Sequence, residues 1–297
     1  MGGEGMVRLF HRIFRGGAQW LQGLALALAG ACSALLAGPL QADPGTTYTL
    51  GIVPQFEQRK LFATWKPIAD ELARRTGLEI RLVVALTVPE FEGALARGSY
   101  DFVYANPFHI LRVRDSQGYI PLVRDRDPLR GILVVRRGSP VTSVQALAGK
   151  SLAVPSPNSL GASLLLRADL ERLFGVHMTM VNAGNHSSAY LHALDGLADA
   201  AGGVQKTLAE QAPGVRENLR VIYTTRPMPS HPVAAHPRVP RDVRERVRKA
   251  LLDMAMTPAG RASLAEVPMP FPVSASMDDY LVMKNWGLNA YWVDEGK

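Results

Sequence analysis

The chain of 297 residues has one cysteine, Cys32, and it lies inside an N-terminal hydrophobic run. The rest of the sequence therefore has no thiol, which excludes disulfides and a cysteine-type zinc site. Gly-x-Ser-x-Gly, His-Glu-x-x-His and Gly-x-x-x-x-Gly-Lys-Ser/Thr are missing as well. No nucleophile elbow, zinc-protease helix or ATP cradle is expected, and neither a cofactor nor a metal is called for. Repeats and low-complexity tracts are also lacking. Aromatic residues make up only 7% and do not alternate with basic ones, so a nucleic-acid surface is not expected. Charged residues are few at 20% against 47% hydrophobic, a balance that describes a globular chain with a sizeable core and argues for two lobes rather than one.

What is present begins with a targeting pattern over residues 1–42. A basic stretch, MVRLFHRIFR, precedes an apolar run from Trp20 to about Ala37 and the small-residue sequence Leu40-Gln41-Ala42. Export to the periplasm is the expectation. A retained membrane anchor, or lipidation at Cys32 within Ala29-Gly30-Ala31-Cys32, are its alternatives. The formal net charge is +7, of which Arg8, Arg12 and Arg15 against Glu4 supply +2 in this segment. The remaining excess is spread along the chain and suits small anions or simple solubility.

From Tyr48 onward strands alternate with helices, which argues for mostly parallel α/β sheets with ligands beyond the carboxyl ends of the strands. YTLGIVP reads as a first strand, Gln58 to Thr76 as a helix stopped by Gly77, and Phe102 to Tyr104 as a third strand running into Asn106-Pro107. The organising stretch is KSLAVPSPNSLGASLLLR, residues 150–167. It reads as strand, polar loop, helix, and the helix's first N–H groups would be unpaired at the positive end of its dipole. Gly161 presents no side chain to an approaching oxyanion, and Ser156, Asn158 and Ser159 supply polar groups beside it. The plain alternative is that Asn158 or Ser159 only caps the helix. His186 and Ser187 occupy a similar place after the strand Met178 to Asn182. Tyr104 and Asn106 stand at a strand end where they could donate to a ligand, or serve as a core tyrosine and a cap. Arg130, beside Gly131, could clamp an anion from a cleft edge. RPMPSHPVAAHPRVP, with five prolines in fifteen residues, would form a rigid crossing between lobes.

With these residues in place the chain resembles the periplasmic solute-binding proteins of the phosphate, phosphite and phosphonate class of ABC transporters. The likeness runs from about Tyr48 to Tyr280. It is carried by Gly51-Ile52-Val53-Pro54, Trp65-Lys66-Pro67 with Thr76-Gly77, Tyr100-Asp101-Phe102-Val103-Tyr104, Pro157-Asn158-Ser159, Gly184-Asn185-His186, Ala198-Asp199-Ala200 and Asp279-Tyr280. The resemblance implies a type II periplasmic-binding fold, two α/β lobes joined by two crossing strands and closing over an oxyanion. The expected division is residues 45–136 with 226–297 as lobe 1 and 137–225 as lobe 2. It also implies that Ser159 and His186 contact the phosphorus-bound oxygens. Leu160 and Gly161 stand where phosphonate binders carry further hydroxyls, which leaves only backbone donors there. Carboxylates that recognise an aminoalkyl tail are matched by Lys206 and His231, which disfavours an aminophosphonate.

The expected partners are a small anionic solute and an ABC permease or, alternatively, a membrane signalling protein, with the binding protein itself monomeric. An enzyme on the same fold, with a serine activated by His186, is the reading from another class.

Overall fold

The computed structural model describes residues 46–294; the targeting segment and Cys32 fall outside them. Eleven strands form two sheets: β1 (Thr47–Ile52), β2 (Glu79–Val84), β3 (Phe102–Tyr104), β4 (Ile120–Asp125), β5 (Leu129–Arg136), β6 (Ser151–Val154), β7 (Thr179–Asn182), β8 (Ala200–Val204), β9 (Leu219–Met228), β10 (Pro232–Ala235) and β11 (Pro272–Ser274). The first sheet has the order β11-β4-β10-β3-β1-β2 and the second β7-β6-β8-β5-β9. Pairings β1–β2, β1–β3, β6–β7 and β6–β8 are parallel, and the strands contributed by the crossing segments pair antiparallel. This is the two-lobed α/β architecture of the type II periplasmic-binding fold; the sheets are mixed rather than mostly parallel as the sequence suggests, with four parallel and five antiparallel pairings among the described residues, because the strands next to the crossings run against their neighbours.

The boundary differs from the expected one. β5, placed in lobe 1 by the sequence reading, pairs with β8 and β9 in the second sheet. A strand and its nearest sequence neighbour commonly share a sheet, and here Asp125 to Leu129 instead carries the chain across. The return crossing runs from Met228 to Pro232. Proline enrichment includes that return: Pro229 fixes the backbone between β9 and β10, and Pro232 opens β10, a first strand position that tolerates the missing N–H.

Six helices matter to the site: α1 (Gln58–Thr76), α2 (Val88–Ala96), α3 (Pro107–Arg112), α4 (Leu165–Phe174), α5 (His186–Leu194) and α6 (Arg241–Met254). α1 buries Leu61, Trp65, Ile68, Ala69 and Leu72 as one stripe and ends on Gly77 in the left-handed region. Asn106 caps α3 by accepting from His109 N–H at 2.9 Å, with Pro107 at the first helical position. Asn185 caps α5 by accepting from Ser188 N–H at 2.9 Å. α4 is preceded by a π-helical turn, Leu160–Leu164.

The carboxy-terminal segment departs from its expected place on lobe 1 alone. Tyr280, Met283 and Leu288 pack in a cluster that joins Phe108 and Leu111 of α3 to Leu165 and Ala168 of α4. Arg167 donates to Tyr291 O, and Arg172 to Trp286 O and Gly287 O, so α4 grips this segment polar group by polar group. Among the described residues no helix is long and apolar enough to cross a membrane.

Candidate functional site

The carboxyl ends of the strands converge on a cavity of about 30 Å³ between the lobes. Val53, Pro54 and Gln55 follow β1, Asn106 follows β3, Ser159 to Ala162 follow β6 and His186 follows β7. Val204 and Met228 end β8 and β9, and His231 lies on the return crossing.

Its most distinctive wall is the π turn. Ser163 and Leu164 N–H both donate to Ser159 O, at 2.9 and 3.0 Å. The N–H groups of Leu160, Gly161 and Ala162 have no acceptor among the described residues. Ser159 occupies the cap position without using its hydroxyl to cap, so that hydroxyl is also available at the cavity. Three amides without acceptors and a hydroxyl at the positive end of a helix are groups that can hold an anion. Two glycines opposite let the turn come so close. Any Cβ at Gly131 of β5 would strike the Gly161 carbonyl, and one at Gly202 of β8 would strike the Ala162 carbonyl.

His186 is 4% exposed, and its Nδ1 lies 3.3 Å from Thr207 Oγ1. Tyr190 Oη in turn lies 2.8 Å from that hydroxyl. Thr207 Oγ1 also donates to Val204 O at 2.9 Å, so His186 Nδ1 belongs to a buried cluster of two hydroxyls and a carbonyl. His231 Nε2 accepts from Gln55 Nε2 at 3.1 Å, which places its proton on Nδ1. Burial pushes both histidines down to about 3, with neighbouring His109, His186 and Lys206 adding to the effect at His231. They are therefore neutral at physiological pH. No arginine or lysine lines the cavity.

A stability prediction follows from those two imidazoles. Their folded-state values lie below the 6.5 of an ordinary histidine, so the unfolded chain binds more protons at acid pH. Their contribution is complete above pH 6.5 and is lost as pH falls toward 3. The melting temperature should drop progressively over that range, and His186→Asn should flatten the drop. An unchanged slope would show that His186 ionises freely in the folded protein.

Of the residues expected from the sequence, Ser159, Gly161, His186, His231 and Asn106 meet at the cavity. The others do not. Asn158 is fully buried, donates to Glu92 Oε2 at 3.0 Å and Val293 O at 2.8 Å, and accepts from Val293 N–H at 2.9 Å. Ser156 Oγ accepts from Asn158 N–H and shapes the loop from within. Tyr104 turns its hydroxyl to Val267 O and stacks its ring on His231 at 5.4 Å, so it supports a lining residue from behind. Arg130 is exposed and donates to Thr225 O, because strand alternation points its neighbour Gly131 at the turn and sends Arg130 the other way. Ser187 sits about 100° round the helix from His186 and leaves the lining. Lys206 pairs with Asp125 at 3.5 Å outside the cavity.

Sequence reasoning missed Gln55, Thr207 and Met228. Gln55 follows a proline at a strand end, which is a usable signal. Thr207 and Met228 look like ordinary helix and core residues, and only the fold reveals them.

Glu92 with Asn158, Gln55 O with His186 N–H at 3.2 Å, Lys206 with Asp125, and Lys60 with Glu210 at 3.4 Å all join one lobe to the other. The cavity is thus enclosed by bonds that a separation of the lobes would break.

Similarity to known proteins agrees with this arrangement. The family of ABC transporter phosphonate periplasmic substrate-binding proteins matches residues 50–280. No curated protein matches the chain in sequence. Among solved structures, a binding protein component of an ABC phosphonate transporter from Pseudomonas aeruginosa aligns with TM-score 0.71 and 14% identity, over 81% of this chain and 85% of its own. PhnD1 from Prochlorococcus marinus, in complex with methylphosphonate, aligns with TM-score 0.74 and 14% identity, over 84% of this chain and 100% of its own. A Xanthomonas citri protein bound to ATP aligns at 0.67 and 18% identity, over 83% and 98%. At such identities the structural likeness shows the fold, and the match over most of the sequence shows the rest: the chain belongs to the periplasmic substrate-binding proteins of ABC phosphonate transporters.

Proposed function

We propose that this protein is exported to the periplasm and captures a small phosphorus oxyanion between its lobes for delivery to an ABC permease. The observation that carries the reading is the set of three unpaired amides at Leu160, Gly161 and Ala162, facing the same cavity as two neutral histidines. Dipoles rather than a counter-charge hold the anion in this arrangement, with the neutral imidazoles of His186, from the same lobe as the turn, and His231, from the return crossing, beside them. Hydrogen bonds to a charged group contribute about 1.5–3 kcal/mol each, so four or five reach micromolar affinity, about −8 kcal/mol, after the cost of closure. Catalysis is not part of this reading. Ser159 Oγ and His186 share no hydrogen bond among the described residues, and the His186 Nδ1 that a third group would orient is turned to a neutral threonine.

A thermal-shift screen of the purified protein tests it, because a ligand bound only to the folded state raises apparent stability. Phosphite and methylphosphonate are expected to raise the melting temperature and aminoethylphosphonate to do little. His186→Ala should weaken the response at least tenfold in affinity, and Thr207→Val should weaken it by freeing the imidazole from its buried hydroxyl partner. No response to any phosphorus oxyanion would end the proposal.

A further inference from the structure

We propose that Arg167 balances the charge of the bound anion from behind the amide turn, without touching the guest. This rests on the oxyanion reading and deepens it, since every group that lines the cavity is a dipole or a neutral ring. Arg167 lies in the first turn of α4 and holds the backbone on both sides of the three amides. Its Nε donates to Ser163 Oγ at 3.2 Å, directly after them, and its Nη2 donates to Pro157 O at 3.0 Å, in the loop that leads into them, and to Tyr291 O.

All three partners are neutral oxygens. Among the described residues no carboxylate lies within ion-pair distance of this guanidinium: Asp169, on the same helix, goes to Tyr223 at 2.9 Å and Arg226 at 3.2 Å, and Glu171 faces His177 at 4.0 Å. Burial pushes Arg167 down from the ordinary arginine value, yet arginine keeps its proton in a folded protein, so the half-buried charge stands unbalanced. Such a charge costs free energy that an opposite charge nearby recovers. Other cations around the cleft are already matched, Lys206 by Asp125 at 3.5 Å, Lys60 by Glu210 at 3.4 Å and Arg124 by Asp279 at 2.9 Å. Arg112 and Arg130 are exposed, where solvent and salt screen them most. A charge set behind the turn attracts a guest in proportion to the guest's own charge and is indifferent to its shape.

Titration calorimetry of the purified protein at about pH 8 with methylphosphonate and methanesulfonate separates charge from shape, because both anions present three oxygens and a methyl group while the first carries two negative charges and the second one. Arg167→Gln is expected to weaken methylphosphonate at least tenfold and methanesulfonate only about threefold, since half the charge feels half the attraction on a logarithmic scale. Arg167→Lys keeps the charge without the planar fork and should hold both affinities within about threefold of the wild type. Equal losses for the two anions in Arg167→Gln, or an Arg167→Lys protein as weak toward methylphosphonate as Arg167→Gln, would show that Arg167 only shapes the turn. Either result overturns the proposal and leaves the oxyanion reading standing. Should Arg167→Gln not fold, or methanesulfonate bind too weakly to measure, Arg167→Lys decides alone: methylphosphonate held within about threefold supports the role as counter-charge, and a larger loss overturns it. Binding of neither anion by the wild type would overturn both readings.

Discussion

Replacing Gly202 by alanine is expected to lower stability by about 3 kcal/mol and to remove anion binding with it, since overpacking a dense interior costs about 1–3 kcal/mol and sometimes more. The added methyl would fall inside contact distance of the Ala162 carbonyl oxygen, and would lie 3.0 Å from its carbon and 3.1 Å from Leu166 Cδ2. Backbone cannot swing aside as the end of a side chain can, so the turn Leu160–Leu164 must lift from β8. That movement carries off the three amides proposed to hold the guest. At roughly 2–4 °C per kcal/mol for a chain of this size, the melting temperature should fall by about 10 °C, and phosphite should no longer raise it. Gly131→Ala meets the neighbouring carbonyl of Gly161 and should act the same way. A Gly202→Ala protein that melts and binds like the wild type would show that the turn is not pressed against the sheet.

The second large effect concerns Asn158, which the sequence marks as a ligand donor and the structure turns into a clasp. Its amide nitrogen reaches Glu92 Oε2 on α2, across the gap between lobes, and Val293 of the carboxy-terminal segment. Asn158→Asp keeps the shape and sets a carboxylate against a carboxylate, and such a juxtaposition costs several kcal/mol. Affinity for the anion should fall roughly 100-fold, equal to about 2.7 kcal/mol, with most of the change in the dissociation rate. Adding Glu92→Gln removes the charge repulsion but leaves a carboxylate oxygen against Val293 O, so the double variant should recover part of the loss. Stopped-flow binding kinetics would measure both. Failure of the second change to rescue the first would assign Asn158 to local loop shape rather than to closure.

The sequence discloses the alternation of strands and helices and the strand-end location of the site, because both arise from local pattern. Gln58–Thr76 is legible from its stripe and its terminal glycine, and the α3 cap from Asn106-Pro107. Sheet membership is not local: β5 reads the same whichever lobe receives it, and only pairing with β8 and β9 decides. The site residues divide on the same principle. Ser159, Gly161 and His186 reach the cavity because main-chain geometry after a strand brings them there. Asn158, Ser156 and Tyr104 are misread because their polar groups are spent on Val293, the Asn158 amide and Val267, partners remote in sequence or hidden in a loop. Met228 is missed because a methionine between two prolines gives no hint of what it stands against.

The contact between Asn158 and Val293 also bears on the order of folding. Its two partners are separated by 135 positions, so it closes a long loop, and the entropy of that closure places it after the more local strand–helix pairings that build each sheet. The loop carrying the turn therefore takes up its final shape only once the two lobes and the later segment have come together.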